Sequence, residues 1–386
     1  MSSANSGSIT FNKAHQRGHL PALHGLRGLA ALWVVVFHLS AFIPSVRISV
    51  NWLPGVLGQI ADNVVFSAGW CGVYLFFVLS GYLLGGQLWD GRGKSIKGFY
   101  IRRFMRIYPA VWWQLCIALM VFLMFKGWST AFVLPETFSW QWLFSQASLL
   151  LEFSPWPAAA INGVWWTLPV ELSFYLMLPL LVWLLRRVPA GYFLIVSVFI
   201  SMSWRWWFIE SGDLENYLPL LKYLSALPGC LCIFCAGMLA ARYKQILNHA
   251  SLLWLLVPLL GFCILLLDLF VWRSGQYWTS AWMQIYWAPM FGVFTAIVVG
   301  LLADKGGLLS TKLAWYFGER SYSIYLWHFP LIVLISSQQQ WHDLAQVTLI
   351  GVLTLVFSEV SYRLVEKPAM KLARKMSMAP VSRNGG

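Results

Sequence analysis

Seven ionisable side chains fall inside long apolar runs of this 386-residue chain: Arg27, His38, Glu171, Arg205, Asp268, His328 and Glu359. An ionised group in hydrocarbon is costly unless it is paired or hydrated, so each marks either a satisfied structural group or a site. Arg205 and Asp268 are expected near the outer ends of their runs and Glu359 near an inner end, where headgroups reach them, and a structural role is expected for all three. Arg27 and His38 form the sharpest pair. They stand eleven residues apart, and at about 100° per residue this is close to three full turns. Both therefore point from one helix face, about 16 Å apart along the axis. A core histidine and a snorkelling arginine would account for either one alone. Glu171 is expected to meet His38 from another helix. Pro169 suits a first helical turn, and the helix dipole favours a carboxylate there. A carboxylate beside imidazole fixes its tautomer and stabilises the imidazolium, as general-base work requires. An acid facing the outer interface is the competing reading of Glu171.

A second constellation is F-Y-I-R-R-F-M-R-I-Y-P at 99–109. Arg103 and Arg106 are three apart and share a face, and Arg102 flanks them. Guanidinium forks suit phosphate oxygens. Any one of these arginines is explained as a membrane anchor, but three of them with Arg27 opening on the same side point to a phosphate-bearing ligand. Phosphates at one face and a reactive end about 16 Å deeper call for a thin, extended arm. Coenzyme A has that shape.

The elements that carry these residues are membrane helices. The chain is 59% hydrophobic and only 11% charged, with 24 Trp and 26 Phe and a mean hydropathy of +0.66. That is too little charge to cover a water-facing surface, and the apolar runs are far longer than the alternating blocks of a β-barrel. The reading is an all-α membrane protein with ten spans, near 23–44, 67–89, 108–126, 165–185, 191–210, 223–243, 251–271, 282–303, 320–337 and 344–364. With that count, 22 of the 27 Lys and Arg fall on the side of the N-terminus, which predicts both termini in the cytoplasm. The net charge of +13 is thereby read as contact with lipid headgroups rather than nucleic acid. The long outer segment 127–164 is expected to hold an interfacial or partly re-entrant helix around W-Q-W-L-F-S-Q-A-S-L-L-L. Cys230, Cys232 and Cys235 lack nearby His or acidic partners, so they read as small buried hydrophobes rather than a metal site or disulfide framework. Residues 1–22 lack a cleavable signal and read as a cytoplasmic segment. Residues 23–366 read as the membrane domain, and 367–386 as a basic cytoplasmic tail.

Six segments in order carry a family resemblance: H-G-L-R-G-L-A-A-L-W-V-V-V-F-H (24–38), G-V-Y-L-F-F-V-L-S-G-Y-L (72–83), Y-I-R-R-F-M-R-I-Y-P (100–109), V-W-W-T-L-P-V-E-L-S-F-Y-L (164–176), S-Y-S-I-Y-L-W-H-F-P-L (321–331) and Y-R-L-V-E-K-P (362–368). The chain resembles the acyltransferase-3 family of integral membrane acyltransferases over nearly its whole length. The resemblance implies a ten-helix domain of a bacterial inner membrane that moves an acyl group, usually acetyl, from cytoplasmic acyl-CoA to a hydroxyl of a carbohydrate. A surface polysaccharide or lipid-linked glycan is the implied acceptor. Acetyl-CoA would be a donor substrate, with no permanently bound cofactor. The family's essential R-x10-H pair falls on Arg27 and His38, and its R-x-x-R element on Arg103 and Arg106. Glu171 matches an acidic position and His328 a recurrent histidine of the ninth span. His328, Tyr74 and Ser80 are candidate substrate-site residues. Two departures stand out: many relatives carry Asp where His24 stands and an acid where Tyr74 stands. A different partner for Arg27, a different donor or weakened activity would follow, and retention of Arg27 and His38 favours the first. The competing class is a transporter or flippase that uses the same charges to pass an anion or glycan, but no inverted-repeat symmetry supports it.

Overall fold

A computed structural model of the chain describes residues 20–50, 58, 61–91, 95–124, 139–150, 160–212, 218–272, 277–338 and 340–378. No β-strand occurs among them. The helices are α1 (Pro21–Phe42), α2 (Cys71–Trp89), α3 (Ile96–Met124), the short α4 (Trp140–Ser148), α5 (Thr167–Arg187), α6 (Ala190–Glu210), α7 (Leu227–Arg242), α8 (Leu252–Phe270), α9 (Ala281–Leu302), α10 (Lys312–Ser336), α11 (Asp343–Ser361) and α12 (Lys367–Met378). Nine helical segments among the described residues are long and apolar enough to cross a membrane. The remaining expected span, the ninth, is α10, which has the length but carries Lys312, Glu319 and Arg320 near its start. It packs against α1 more extensively than any other two described helices pack together. Large apolar side chains such as Leu176, Ile195, Phe199, Leu260 and Leu344 point outward, while Gln114, Gln284 and Arg205 are buried. That inversion of the soluble pattern suits hydrocarbon as the surrounding solvent.

The α1–α10 contact sets the site. A Cβ added to Gly318 would lie 2.1 Å from the His24 carbonyl oxygen, and one added to Gly28 would lie 2.9 Å from the Gly318 nitrogen. Small residues here let the two backbones touch, as membrane helix pairs do. Ten residues further along each helix, His38 meets His328. The equal offset shows that α1 and α10 run parallel, as the first and ninth spans of an alternating ten-span chain must. Gly318→Leu is expected to force the pair apart. The result should be a lower thermal midpoint in detergent and a loss of activity together, and an unchanged midpoint would contradict this packing.

Polar side chains close the helix ends. Arg186 donates to the Leu88 and Trp89 carbonyls at 3.1 and 3.0 Å, and Arg242 to the Leu185 carbonyl at 2.7 Å. Both donate to carbonyls of a last helical turn, of which that of Leu88 also accepts from the Gly91 N–H at 3.3 Å. The basic tail begins as a helix. Residues Lys367–Met378 form α12, which packs on α3 with Ala373 buried. Its charges alternate with Met370, Ala373 and Ser377 at helical spacing, so one face is apolar enough to dock. Residues 1–19 and 379–386 lie outside the described residues.

Candidate active site

Helices α1, α2, α3, α5 and α10 line a partly open cavity, whose roughly 790 Å³ of empty space includes its solvent-facing mouth. Arg27, Ser80, Arg103, Arg106, Glu171 and Tyr175 supply most of its polar wall. Glu171 accepts from the Ser80 hydroxyl at 3.1 Å and from the Tyr175 hydroxyl. It also attracts Arg27, which Arg106 and Arg103 repel. Arg106 pairs with Glu366 at 3.3 Å, and its guanidinium lies 5.5 Å from the centre of the Tyr322 ring. Arg103 sits between the Phe99 and Tyr175 rings, 5.9 Å from each centre. Its Nε is buried with no hydrogen-bond partner, and no described carboxylate lies within ion-pair distance of it. Three cations thus face two carboxylates, with one donor left open. A buried donor without a partner is unfavourable unless a ligand supplies the acceptor.

Above this level stands a pair of imidazoles. His328, fully buried, places Nε2 3.1 Å from His38 Nδ1. Phe37 and Phe329 hold the His38 ring, each with its centre 5.0 Å away. Tyr325 links the two levels: it lines the cavity, and its ring centre is 5.8 Å from that of His328. A proline fixes this part of α10. Pro330 has no N–H to give the Leu326 carbonyl four residues back, and Gln114 Nε2 and Asn162 Nδ2 donate to that carbonyl instead, at 2.8 and 2.9 Å. Trp165 Nε1 then donates to Gln114 Oε1 at 2.8 Å. Residues 160–166 are thereby pinned inside the bundle between α3 and α10. Gln114 and Asn162 were not singled out from the sequence, although an amide in an apolar run is itself a signal.

The structure brings Arg27, Ser80, Arg103, Arg106 and Glu171 together and corrects four other placements. Glu171 does not meet His38, whose partner is His328. Because Ile161, Asn162, Val164 and Trp165 are buried, α5 starts inside the bundle, with Thr167 at the level of Tyr325. Glu171 is one turn, about 6 Å, further toward the arginines. Arg102 does not line the cavity. It is rotated about 100° from Arg103, and its NH1 lies 3.2 Å from where a Gly98 Cβ would stand. Tyr74 faces away from Ser80, packing on Trp70 and Phe291 with ring centres 5.5 and 6.3 Å away. Arg205 lies near the end of α6 as expected but turns inward rather than toward headgroups: it is 1% exposed and donates to the Gly229 and Gln284 carbonyls, in the first turns of α7 and α9, at 2.8 and 2.9 Å. It belongs to the inward stripe Phe193, Ser197, Ser201, Arg205, Ile209, a four-residue spacing that the sequence displays. Glu359 is structural, paired with Arg320 and Arg363.

Glu366 is the site residue that sequence reasoning missed. It lies in a π-helical turn, Tyr362–Glu366, between α11 and α12. The extra residue in that turn rotates Glu366 inward to Arg106 and Ser323, a shift that an α-helical projection cannot anticipate.

Helical fold, outward apolar faces and a buried polar cavity define a multi-pass membrane protein. The chain belongs to the Acyl_transf_3 family, described as an acyltransferase domain, whose model matches residues 20–363. It is similar to O-acetyltransferase OatA of Staphylococcus aureus, at 26% identity over 383 residues, covering 94% of this chain and 59% of the relative. It is also similar to the putative peptidoglycan O-acetyltransferase YrhL of Bacillus subtilis, at 26% identity over 93% of this chain and 56% of the relative. Peptidoglycan O-acetyltransferase OatA of Listeria monocytogenes is 26% identical over 92% of this chain and 57% of that protein. The chain thus spans under three fifths of the length of these relatives. No solved structure matches it.

Proposed function

We propose that the protein is a membrane O-acyltransferase that moves an acyl group, by default acetyl, from cytoplasmic acyl-CoA to a hydroxyl of a carbohydrate. The observation that carries this reading is the cavity itself. A net positive arginine cluster with an open buried donor on Arg103 stands on the same α1 face as His38. This arrangement suits a phosphorylated donor whose thioester extends toward an imidazole. The names of the relatives, two of which specify peptidoglycan, support O-acetylation and a glycan acceptor. The positive-inside distribution supports entry of the donor from the cytoplasm.

In this mechanism Arg27, Arg103 and Arg106 hold phosphate oxygens, while Glu171, braced by Ser80 and Tyr175, keeps Arg27 oriented. His38 takes the acceptor proton as the hydroxyl oxygen attacks the thioester carbonyl. The C–S bond then breaks, and the proton passes to the departing sulfur. The test is turnover of labelled acetyl-CoA by purified protein in nanodiscs. Arg103→Ala is expected to raise KM at least tenfold, in line with the loss of a charged hydrogen bond, with a smaller change in kcat. Transport of a glycan or anion without acyl-CoA consumption would overturn the reading in favour of a flippase.

A further inference from the structure

We propose that His328 is a positioning residue: its Nε2 accepts from His38 Nδ1–H, which holds His38 in the one tautomer that leaves Nε2 as the base. The inference rests on His38 as general base in the proposed acyl transfer. Three distances fix the hydrogens. His328 Nδ1 lies 3.1 Å from the Ile324 carbonyl oxygen, which can only accept, so His328 carries its hydrogen on Nδ1. His38 Nδ1 lies 3.0 Å from the Val34 carbonyl oxygen, so it too is an N–H. The contact between His328 Nε2 and His38 Nδ1 at 3.1 Å then has its hydrogen on His38 and its lone pair on His328. The result is a three-centre bond, one N–H shared between a carbonyl and an imidazole. The opposite assignment would set the His38 Nδ1 lone pair against the Val34 oxygen. His38 Nε2 makes no hydrogen bond to any described residue, and it is the nitrogen left to take a proton.

The arrangement differs from the expected carboxylate–imidazole pair. Here a neutral acceptor holds the tautomer, and the acid on α5, Glu171, is hydrogen-bonded to Ser80 and Tyr175. During transfer the acceptor hydroxyl gives its proton to His38 Nε2 as the new C–O bond forms. The His38 Nδ1–H stays on its two acceptors throughout, and Nε2 returns its proton to the sulfur as the C–S bond breaks. Because α1 and α10 touch at Gly28 and Gly318, the imidazole pair inherits its separation from backbone contact rather than from flexible side chains.

Two variants separate positioning from packing. His328→Gln keeps an acceptor oxygen near the place of Nε2, whereas His328→Leu fills the volume with none. The expected result for His328→Leu is a fall in kcat of about 100-fold or more, the scale of losing an oriented general base, with KM for acetyl-CoA within about twofold because the arginine cavity is untouched. His328→Gln should recover at least tenfold of that loss. Wild-type kcat in His328→Leu, or equal loss in both variants, would overturn the positioning role. A measurement on the unaltered protein guards against misfolding. Nitrogen NMR of 15N-histidine-labelled protein in nanodiscs should show His38 and His328 both as Nδ1–H tautomers, and an Nε2–H His38 refutes the assignment. His38→Ala serves as the reference: if it transfers acyl groups at the wild-type rate, the general-base reading itself fails. An inactive His38→Ala beside a fully active His328→Leu removes only the inference about His328.

Discussion

His38→Ala is expected to lower acyl transfer about 10²- to 10⁴-fold, the usual contribution of a positioned acid–base group, while acyl-CoA still binds. The two effects separate because the residues do. The cations lie at the level of Arg27, and His38 is eleven residues further along α1, about 16 Å away. The substitution removes the partner of His328 Nε2 and the ring packed on Phe37 and Phe329. A stability cost of about 1–3 kcal/mol follows from the unpaired buried acceptor, too little to dismantle the bundle. Acetyl-CoA turnover, equilibrium binding and thermal unfolding, measured on one preparation, would read the three quantities. Undiminished transfer would sink His38 as the base, and loss of binding in step with turnover would place it in donor recognition instead.

Glu366→Ala should produce the largest stability loss of any single charge removed from the site. The Glu366 side chain is 1% exposed and that of Arg106 15%, with 3.3 Å between nitrogen and oxygen. Removing one member of a buried pair strands the other, typically at a cost of about 3–5 kcal/mol. The Ser323 hydroxyl, which donates to Glu366, is left unpaired as well. Glu366→Gln keeps the packing and an acceptor, so it should lose clearly less. The variant also frees Arg106 toward the cavity, so affinity for acyl-CoA is not expected to fall in parallel with stability. Thermal unfolding in detergent checks the first statement and equilibrium binding the second. An Ala variant as stable as wild type would mean that Arg106 re-pairs elsewhere.

Much of this was legible in the sequence because its physics is local. Span positions follow from run length against bilayer thickness, and all ten expected spans have a helix. Arg27 and His38 share a face because eleven residues nearly close three turns, and Arg103 and Arg106 reach one cavity because they are three apart. Arg205 stands near a helix end as expected, and its inward orientation was legible in the stripe of residues four apart on α6. The sequence also displayed the absence of an acid at position 24 without saying what would replace it.

What only the tertiary structure decided is how the helices sit against one another. A chain written in one dimension carries no depth for α5, so nothing in it said that the buried Ile161, Asn162, Val164 and Trp165 would set Glu171 beside Arg27 rather than His38. Nothing local said that Gly28 and Gly318 would bring two histidines 290 residues apart into contact. The π turn before Glu366 likewise breaks the periodicity on which sequence reading depends. Residue types and spacing determined which groups could do chemistry, because these act within one helix. Backbone contacts between helices determined which groups meet, because helix depth and rotation are set by packing that no single segment contains.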